Sequence, residues 1–201
     1  MPDYLLKDHY FLKAKEEGLK SRAAYKLIEI NNKHRILKKG KMVLDLGAAP
    51  GGWLQIAANS VGKKGFVFAV DKVPFDMPKR DNIALIKADI QDPDGLKEIT
   101  EQINGKVDVV LSDMAPKLSG IKNTDDSRIF DLAQTAFEIC MAFLKPNGHF
   151  LIKLFDSALL PDYRSQVKLH FDQVNLIVPK ARRRSSSEVY LLAKKFKPGK
   201  S

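Results

Sequence analysis

The chain has 201 residues, of which 44% are hydrophobic and 29% charged, and its formal net charge is +10. This length suits one domain with a substantial core, and no stretch approaches the ~18 consecutive apolar residues of a membrane-spanning helix. Acidic residues near the N-terminus argue against a signal or transit peptide, and the lone Cys140 cannot form an internal disulfide. We therefore expect a cytoplasmic protein, with an organellar or nucleolar location left open for a eukaryotic source.

Two helical patterns open the chain, and alternating strands and helices follow them. Apolar spacing predicts helices over residues 3–17 and 21–31, with Gly18 between them and Ser21 as the N-cap of the second. The pattern then predicts strand 42–46, a helix from 53, strands 66–71 and 83–87, helix 94–103, strand 107–112, helix 125–144, strand 149–154, helix 161–171, and strands 173–178 and 188–193. This alternation is typical of an open, mostly parallel α/β sheet.

The last two predicted strands are joined by a segment too short for a parallel crossover. Only residues 179–187 separate them, which leaves no room for a crossover helix, so we expect these strands to be antiparallel. A seven-stranded sheet with its last strand antiparallel resembles the Rossmann-like fold of S-adenosylmethionine-dependent methyltransferases. We expect one such domain over 1–201, with a basic helical extension (1–41), a Rossmann-like core (42–194) and a basic tail (195–201).

Residues 47–52, GAAPGG, form a loop poor in side chains directly after the first predicted strand. Glycines there let backbone N–H groups approach a ligand, and the next helix directs its positive N-terminal end to the same place. The loop lacks the G-x-G-x-x-G spacing of a dinucleotide site and the Lys-Ser/Thr of a Walker A loop. A purely structural turn is the alternative. The pattern favours a cofactor that carries a carboxylate and a cation, such as S-adenosylmethionine, at Gly47, Gly51 and Gly52.

Acidic residues follow several strand ends, where open α/β sheets bind their ligands. Asp71 lies where a carboxylate would accept hydrogen bonds from cofactor ribose hydroxyls, although this position fits NAD equally well. Asp89 is placed to meet an adenine amine, and Asp113 to lie near a sulfonium. A capping or surface role is the alternative for Asp71 and Asp89.

The segment SDMAP at 112–116 lacks the D/N-P-P-aromatic loop of adenine N-methyltransferases, and it lacks the nucleophilic cysteine of pyrimidine C5-methyltransferases. It contributes Asp113 instead, and two further charged residues lie at strand ends. Lys153 ends an apolar strand, and Glu188 begins another. A lysine in such a position is costly to bury unless it is paired or used in the chemistry.

Five motifs resemble, in order and spacing, those of the FtsJ/RrmJ family of ribose 2′-O-methyltransferases. They are SRAAYKL (21–27), VLDLGAAPGGW (43–53), SDMAPKLSG (112–120), FLIKLF (150–155) and RRRSSSEVYLLA (182–193). The resemblance spans nearly the whole chain. It implies S-adenosylmethionine-dependent 2′-O-methylation of RNA, with a uridine of large-subunit ribosomal RNA as the expected acceptor. A ribose of a tRNA anticodon loop, or a non-RNA substrate, is the alternative.

The resemblance also implies functional residues, each inside a matching motif. The catalytic Lys-Asp-Lys-Glu set of the family falls here on Lys26, Asp113, Lys153 and Glu188, and its cofactor positions fall on Gly51, Trp53, Asp71, Asp89 and Asp113. We interpret Lys153 as the base that takes the hydroxyl proton, with Lys26 and Glu188 as orienting partners and Asp113 as the link to the cofactor. A non-catalytic RNA-binding module is disfavoured because all four catalytic positions are filled.

Basic charge is concentrated at the two ends of the chain. Residues 1–41 carry a net charge of +6 and residues 180–201 a net charge of +7, whereas residues 42–179 carry −3. We expect both ends to converge on an RNA backbone, with solvated tails as the alternative. The candidate RNA-binding residues are Lys13, Lys15, Lys20, Arg22, Arg182, Arg183 and Arg184. The histidines lack metal-ligand spacing, so we expect no metal, and we expect a monomer.

Overall fold

The computed structural model of the chain describes residues 4–117, 119–182 and 186–199. Two helices, α1 (Tyr4–Glu16) and α2 (Ala24–His34), precede the first strand. The alternating region then consists of β1 (Met42–Leu46), α3 (Gly52–Val61), β2 (Phe66–Asp71), β3 (Ile83–Lys87), α4 (Pro93–Gln102), β4 (Val107–Ser112), α5 (Lys122–Phe143), β5 (Leu144–Phe155), α6 (Leu160–Lys168), β6 (Phe171–Ile177) and β7 (Glu188–Phe196). None of these helices is both long and apolar enough to cross a membrane.

The strands form one sheet in the order β3-β2-β1-β4-β5-β7-β6. Strands β1 to β5 pair in parallel, whereas β7 lies between β5 and β6 and is antiparallel to both. The expected sheet with an antiparallel last strand is therefore confirmed. Because β7 runs against its neighbours, its first residues lie at the same edge of the sheet as the last residues of β1, β4 and β5.

Several predicted bounds differ from the structure by a few residues; for example, α6 ends at Lys168 and β6 begins at Phe171, inside the helix predicted over 161–171. Three further differences concern a helix cap and two strand ends. Ser21 is not the N-cap of α2: Ala23 occupies that position, and the Ser21 carbonyl accepts a hydrogen bond from the Ala24 N–H at 3.2 Å. Strand β5 begins at Leu144 instead of 149, because Leu144 already pairs with Val107 of β4. The regular pairing is interrupted over residues 145–148, where Asn147 has a φ of 63°, and it resumes at His149. Strand β7 continues past the predicted end to Phe196, which pairs with Phe171.

Two apolar layers cover the faces of the sheet, because neighbouring strand residues point to opposite sides. One layer joins the sheet to α5 and includes Leu44, Val70, Val110, Phe137, Cys140 and Phe150. The other joins it to α2 and α3 and includes Leu27, Val43, Leu54, Ala57, Leu111 and Tyr190. Cys140 is fully buried, and burial raises the pKa of its thiol. Because Leu27 belongs to the second layer, helix α2 is packed on the sheet, and this fixes the position of its Lys26.

Asp108 on β4 joins three groups at the edge where the parallel strands begin. Its carboxylate oxygens lie 2.8 Å from Lys41 Nζ, 2.9 Å from the Met42 backbone nitrogen and 3.2 Å from Lys145 Nζ. Burial by itself would raise the pKa of the Asp108 carboxyl, but the hydrogen bonds from these three groups outweigh burial and lower it. Asp108 therefore stabilises the fold while it is ionised.

Replacing this carboxylate should destabilise the protein in a pH-dependent way. We expect Asp108→Asn to lower the free energy of unfolding by about 1–2 kcal/mol at neutral pH, measured by urea denaturation. Because the folded-state pKa is lowered, the difference should persist down to about pH 4 and shrink as the pH falls further. Asp172→Asn is the control, because the Asp172–Lys197 pair is exposed. An equal loss in the two variants, or a loss independent of pH, would contradict this role.

Candidate active site

A cavity of about 460 Å³ opens at the edge where the parallel strands end. Its lining includes Gly47, Asp71, Asp89 and Asp113, which the structure brings together from four separate segments. Met114 and Leu132 add apolar surface that sequence reasoning did not assign to a site. The Met114 position follows Asp113 within the SDMAP segment, so the motif itself was the available signal. The cavity offers acidic and apolar groups side by side, as an adenosine-containing ligand requires.

Backbone N–H groups orient the two outer carboxylates of the cavity. Asp71 accepts hydrogen bonds from the N–H groups of Ala49 at 2.9 Å and Val73 at 2.8 Å. Asp89 accepts one from the Gln91 N–H at 3.1 Å, and its other oxygen lies 3.4 Å from Lys72 Nζ. An ionised carboxylate has about four acceptor sites, so both residues retain lone pairs for ligand hydroxyl or amine groups.

Gly51, Gly52 and Trp53 were predicted to bind the cofactor, but they are absent from the cavity lining within the described residues. Gly51 has a φ of 105° at the N-cap of α3, and a Cβ on Gly52 would overlap the Ser21 hydroxyl. The Trp53 indole is 3% exposed and donates a hydrogen bond to the Ala23 carbonyl at 2.9 Å. The side chain of Trp53 therefore holds α3 against the start of α2.

Lys26, Asp113, Lys153 and Glu188 lie together as two ion pairs. Lys26 Nζ from α2 lies 2.6 and 2.8 Å from the two carboxylate oxygens of Glu188 on β7. Lys153 Nζ from β5 lies 3.0 Å from Asp113 Oδ1 and also donates to the Asp113 backbone carbonyl. The four side chains are between 8% and 15% exposed. We call these four residues the quartet.

Tyr190 links the two ion pairs, and sequence reasoning did not identify it. Its O–H donates to Asp113 Oδ1 at 3.0 Å, and its ring centroid lies 5.7 Å from Lys26 Nζ. Burial, together with the charges of Asp113 and Glu188, raises the pKa of the Tyr190 hydroxyl well above its ordinary value. The hydroxyl therefore remains a donor. The available signal was its position two residues after Glu188, which places both side chains on one face of β7.

Asp113 belongs to both the cavity and the quartet. It lines the cavity, pairs with Lys153 and accepts the Tyr190 hydrogen bond. A ligand in the cavity is therefore adjacent to the lysine that would receive a proton. The arrangement allows a group bound in the cavity to react with a hydroxyl held at Lys153, because both sites border one residue.

Asp45 on β1 is a buried carboxyl that the sequence analysis did not assign to any role. It is fully buried, and neither oxygen has a hydrogen-bond partner among the described residues. Burial, followed by the charges of Asp113 and Asp71, raises the pKa of Asp45 to about 8. The fold therefore carries an unpaired acidic group close to two carboxylates of the cavity, at a cost in stability that grows as this group ionises.

This cost predicts an unusual pH dependence for Asp45→Asn. Because the folded-state pKa is raised above the unfolded value, the wild-type protein should lose stability relative to the variant as pH rises from about 5 to about 8. We expect the change in the difference to reach at least about 1 kcal/mol in urea denaturation of ligand-free protein. Asp81→Asn, at an exposed position, should show no such trend. A difference between wild type and Asp45→Asn that stays constant with pH would contradict the assignment.

The two basic ends of the chain meet beside the quartet. Ala14 of α1, Tyr25 of α2 and Ala181 of the β6–β7 connection pack in one buried cluster. Burial and a hydrogen bond to Glu17 raise the pKa of Tyr25 to about 12, so its hydroxyl remains protonated. Arg182 donates a hydrogen bond to the backbone carbonyl of Glu188 at 3.0 Å. The predicted residues Lys13, Lys15, Lys20 and Arg22 lie in or just after α1, whereas Arg183 and Arg184 lie outside the described residues.

Comparisons with known proteins decide the family. Residues 19–196 match the family described as FtsJ-like methyltransferase. The chain belongs to this family. Proteins named ribosomal RNA large subunit methyltransferase E from Methanothrix thermoacetophila and Myxococcus xanthus are 44% and 45% identical to it over 190 and 192 residues. Each alignment covers 94% of this chain, with 73% of the first protein and 89% of the second.

A solved structure of this kind has the same fold. A Plasmodium falciparum protein described as a ribosomal RNA methyltransferase superposes with a TM-score of 0.75 at 30% identity, over 90% of this chain and 100% of that chain. The expected methyltransferase fold is therefore confirmed. FtsJ-like methyltransferases use S-adenosylmethionine as methyl donor, which confirms the expected cofactor. The cavity fits this cofactor, since carboxylates border the space and the lining residue Met114 packs so closely on Gly47 that a Cβ there would overlap it. No group of three His, Cys, Asp or Glu suited to a metal occurs among the described residues.

Gly47→Ala should weaken the binding of S-adenosylmethionine by more than the accompanying loss of folding stability accounts for. Gly47 has a φ of 76°, and a Cβ there would overlap the side chain of Met114. We expect the variant to bind S-adenosylmethionine at least about tenfold more weakly by calorimetry and to lose about 1–2 kcal/mol of stability. Gly40→Ala is the matched control, because Gly40 has a φ of 79° and no neighbouring atom within 4 Å of a Cβ. Equal cofactor affinity in the two variants would contradict a close approach at Gly47.

Proposed function

We propose that this protein transfers the methyl group of S-adenosylmethionine to a ribose 2′-hydroxyl of large-subunit ribosomal RNA. The observation that carries the proposal is the double role of Asp113, which lines the cavity and pairs with Lys153 at 3.0 Å. The names of its relatives support ribosomal RNA as the substrate. We further propose that it acts as a cytoplasmic monomer, in which residues 1–41 extend the RNA-facing surface of the core.

In the proposed reaction the acceptor hydroxyl lies at Lys153 Nζ. S-adenosylmethionine supplies an electrophilic methyl group whose carbon–sulfur bond breaks as the new carbon–oxygen bond forms. Lys153 in its neutral form accepts the hydroxyl proton at Nζ, and Asp113 holds this amine beside the cavity. In-line transfer requires the oxygen within about 3–3.5 Å of the methyl carbon, so positioning contributes a large share of the rate.

Lys26 and Glu188 are proposed to orient the substrate oxygen and Lys153. Both carboxylate oxygens of Glu188 contact Lys26 Nζ, which leaves one of the three ammonium protons of Lys26 to donate to a ribose oxygen. Tyr190 holds Asp113 through its hydroxyl group, and its ring lies beside Lys26. Tyr190 thereby fixes the two ion pairs relative to each other. The quartet therefore presents a donor and an acceptor to one hydroxyl group.

The basic ends are proposed to hold the RNA backbone around this site. Lys13 and Lys15 lie in α1, and Lys20 and Arg22 lie between α1 and α2. Arg182 lies in the β6–β7 connection and donates to the Glu188 carbonyl. Contacts of this type fix the orientation of an RNA without reading its bases. They therefore predict strong salt dependence of substrate binding.

Transfer of a labelled methyl group identifies the substrate class. Large ribosomal subunits, total tRNA and total protein, each isolated from cells that lack this enzyme, are incubated separately with enzyme and labelled cofactor. We expect label in large-subunit RNA alone. Label confined to tRNA would replace the ribosomal assignment by an anticodon-loop enzyme, and label in protein would overturn RNA methylation.

Lys153→Met should strongly slow methyl transfer while preserving the cofactor site. Removing the general base should lower the rate constant of methyl transfer by about 10²–10⁴-fold, measured under single turnover with saturating RNA. Calorimetry should show near wild-type affinity for S-adenosylmethionine, which verifies that the variant is folded. Lys97→Met is the control, because Lys97 is exposed and lies 3.9 Å from Glu101 on the surface of α4. A Lys153→Met protein that methylates at the wild-type rate would exclude Lys153 as the base.

A further inference from the structure

A second basic surface lies at the edge of the sheet opposite the quartet. The parallel strands begin at this edge, and β7 ends there because it runs in the reverse direction. The surface is formed by residues from α2, the segment before β1 and the end of β7. We call it the basic edge, and its members are Lys33, Lys38, Lys39, Lys41 and Lys194.

Strand pairing and two histidines show that these lysines are neighbours. His149 of β5 pairs with Lys194 of β7 in the sheet. Burial lowers the pKa of His149, and the charges of Lys194, Lys38 and Lys41 lower it further. Burial lowers the pKa of His34 as well, with further contributions from Lys194 and Lys33. Lys194 is therefore close to both histidines, while Lys38 and Lys41 are close to His149 and Lys33 is close to His34.

Little negative charge offsets this group of lysines. Asp108 is shared between Lys41 and Lys145, so one carboxylate neutralises only part of two ammonium charges. Within residues 4–117, 119–182 and 186–199, Lys33, Lys38, Lys39 and Lys194 form no salt bridge. Lys33, Lys38 and Lys39 are exposed to solvent. The basic edge thus keeps a strong positive potential.

The chemistry of the basic edge fits a polyanion better than a protein surface. Stable protein interfaces have an apolar or aromatic centre, but none of the five lysines is accompanied by such a cluster: among the exposed large hydrophobic side chains of the described residues, only Leu169, just before β6, lies at this edge of the sheet. Clustered lysines without aromatic residues are typical of contacts to phosphates. Ordinary surface lysines are usually paired or scattered, whereas these are clustered, and among the described residues only Lys41 of the five forms a salt bridge.

We propose that the basic edge binds a second stretch of the phosphate backbone of the RNA that is methylated at the quartet. The inference rests on the proposed function. Lys194 follows Glu188 by six residues along β7, so at about 3.3 Å per residue the basic edge lies roughly 20 Å from the quartet. A trinucleotide centred on the methylated ribose extends only one nucleotide to either side of the quartet, and it therefore does not reach the basic edge. A folded ribosomal RNA domain reaches both edges, and it therefore gains affinity that the fragment lacks.

The test compares a Lys38→Gln/Lys39→Gln variant with a Lys97→Gln/Lys168→Gln control. Both variants remove two exposed lysine charges, but the control changes α4 and α6. Two substrates are used. One is the large subunit from cells lacking the enzyme, and the other is a short RNA, a trinucleotide centred on the methylated nucleotide. Steady-state kinetics and binding at several salt concentrations are measured, and cofactor affinity verifies that each variant is folded.

We expect the Lys38→Gln/Lys39→Gln variant to raise KM for large subunits by about tenfold and to leave kcat unchanged. The slope of log affinity against log salt should decrease in magnitude by about 1.4–1.8, as expected for two lost phosphate contacts. KM for the short RNA should equal that of wild type, as should both constants of the control variant.

Wild-type KM and salt slope for large subunits in the Lys38→Gln/Lys39→Gln variant would overturn the inference and leave the proposed function intact. An equal rise in KM for the short RNA would also overturn it, because the lysines would then act at the quartet side. Absence of methyl transfer to large subunits by the wild-type enzyme would overturn the proposed function, and the inference with it.

Discussion

The antiparallel register between β5 and β7 is the constraint on which the rest of the site depends. It places Tyr190 opposite Lys153 and Glu188 opposite Phe155. Since β7 has nine residues, a parallel β7 would place Glu188 roughly 30 Å away, at the other edge of the sheet. The reversed strand thus brings a carboxylate from its own beginning to the residues that end β4 and β5. A single topological feature assembles groups that are distant in sequence.

The two ion pairs give the site its charge balance. Burying a single lysine or carboxylate is costly, whereas two lysines with two carboxylates leave no net charge in the quartet. Buried pairs of this kind are seldom retained for stability, since apolar residues of similar size serve as well. Their retention beside a cavity is therefore better explained by chemistry, in which Asp113 connects the cofactor side to Lys153. Asp45 differs from the quartet, because it has no hydrogen-bond partner among the described residues and its raised pKa keeps most of it uncharged below about pH 8.

Much of the fold was predictable because the strands are short apolar runs with clear ends. The bounds of β1, β2, β3 and β4 match their predictions residue for residue. The start of β5 was missed because Pro146, Asn147 and Gly148 are typical turn residues, yet the chain passes through them without leaving the sheet. Serine is a residue type that often caps helices, but Ser21 begins a turn that precedes α2, so the helix itself begins only at Ala24.

The site was predictable where a motif determines position, and less so where packing does. Four of the acidic and glycine positions at strand ends line the cavity, since strand ends share one edge. Trp53 ends the glycine-rich motif in sequence, but it lies in the first turn of α3 and its indole donates to Ala23 at the start of α2, a contact that local sequence does not specify. Tyr190 and Asp45 depend on long-range register and on burial from several elements, so no local pattern marked their roles.

The identity of the methylated atom tests the central claim most directly. Ribosomal RNA labelled by the enzyme with a radioactive methyl donor is hydrolysed in alkali and also digested to nucleosides for chromatography. A methyl group on the 2′-oxygen blocks alkaline cleavage of the next phosphodiester, so we predict that all label is in alkali-resistant dinucleotides and in 2′-O-methylnucleosides. Label in mononucleotides that carry a methylated base would contradict the assignment of the quartet to a ribose hydroxyl.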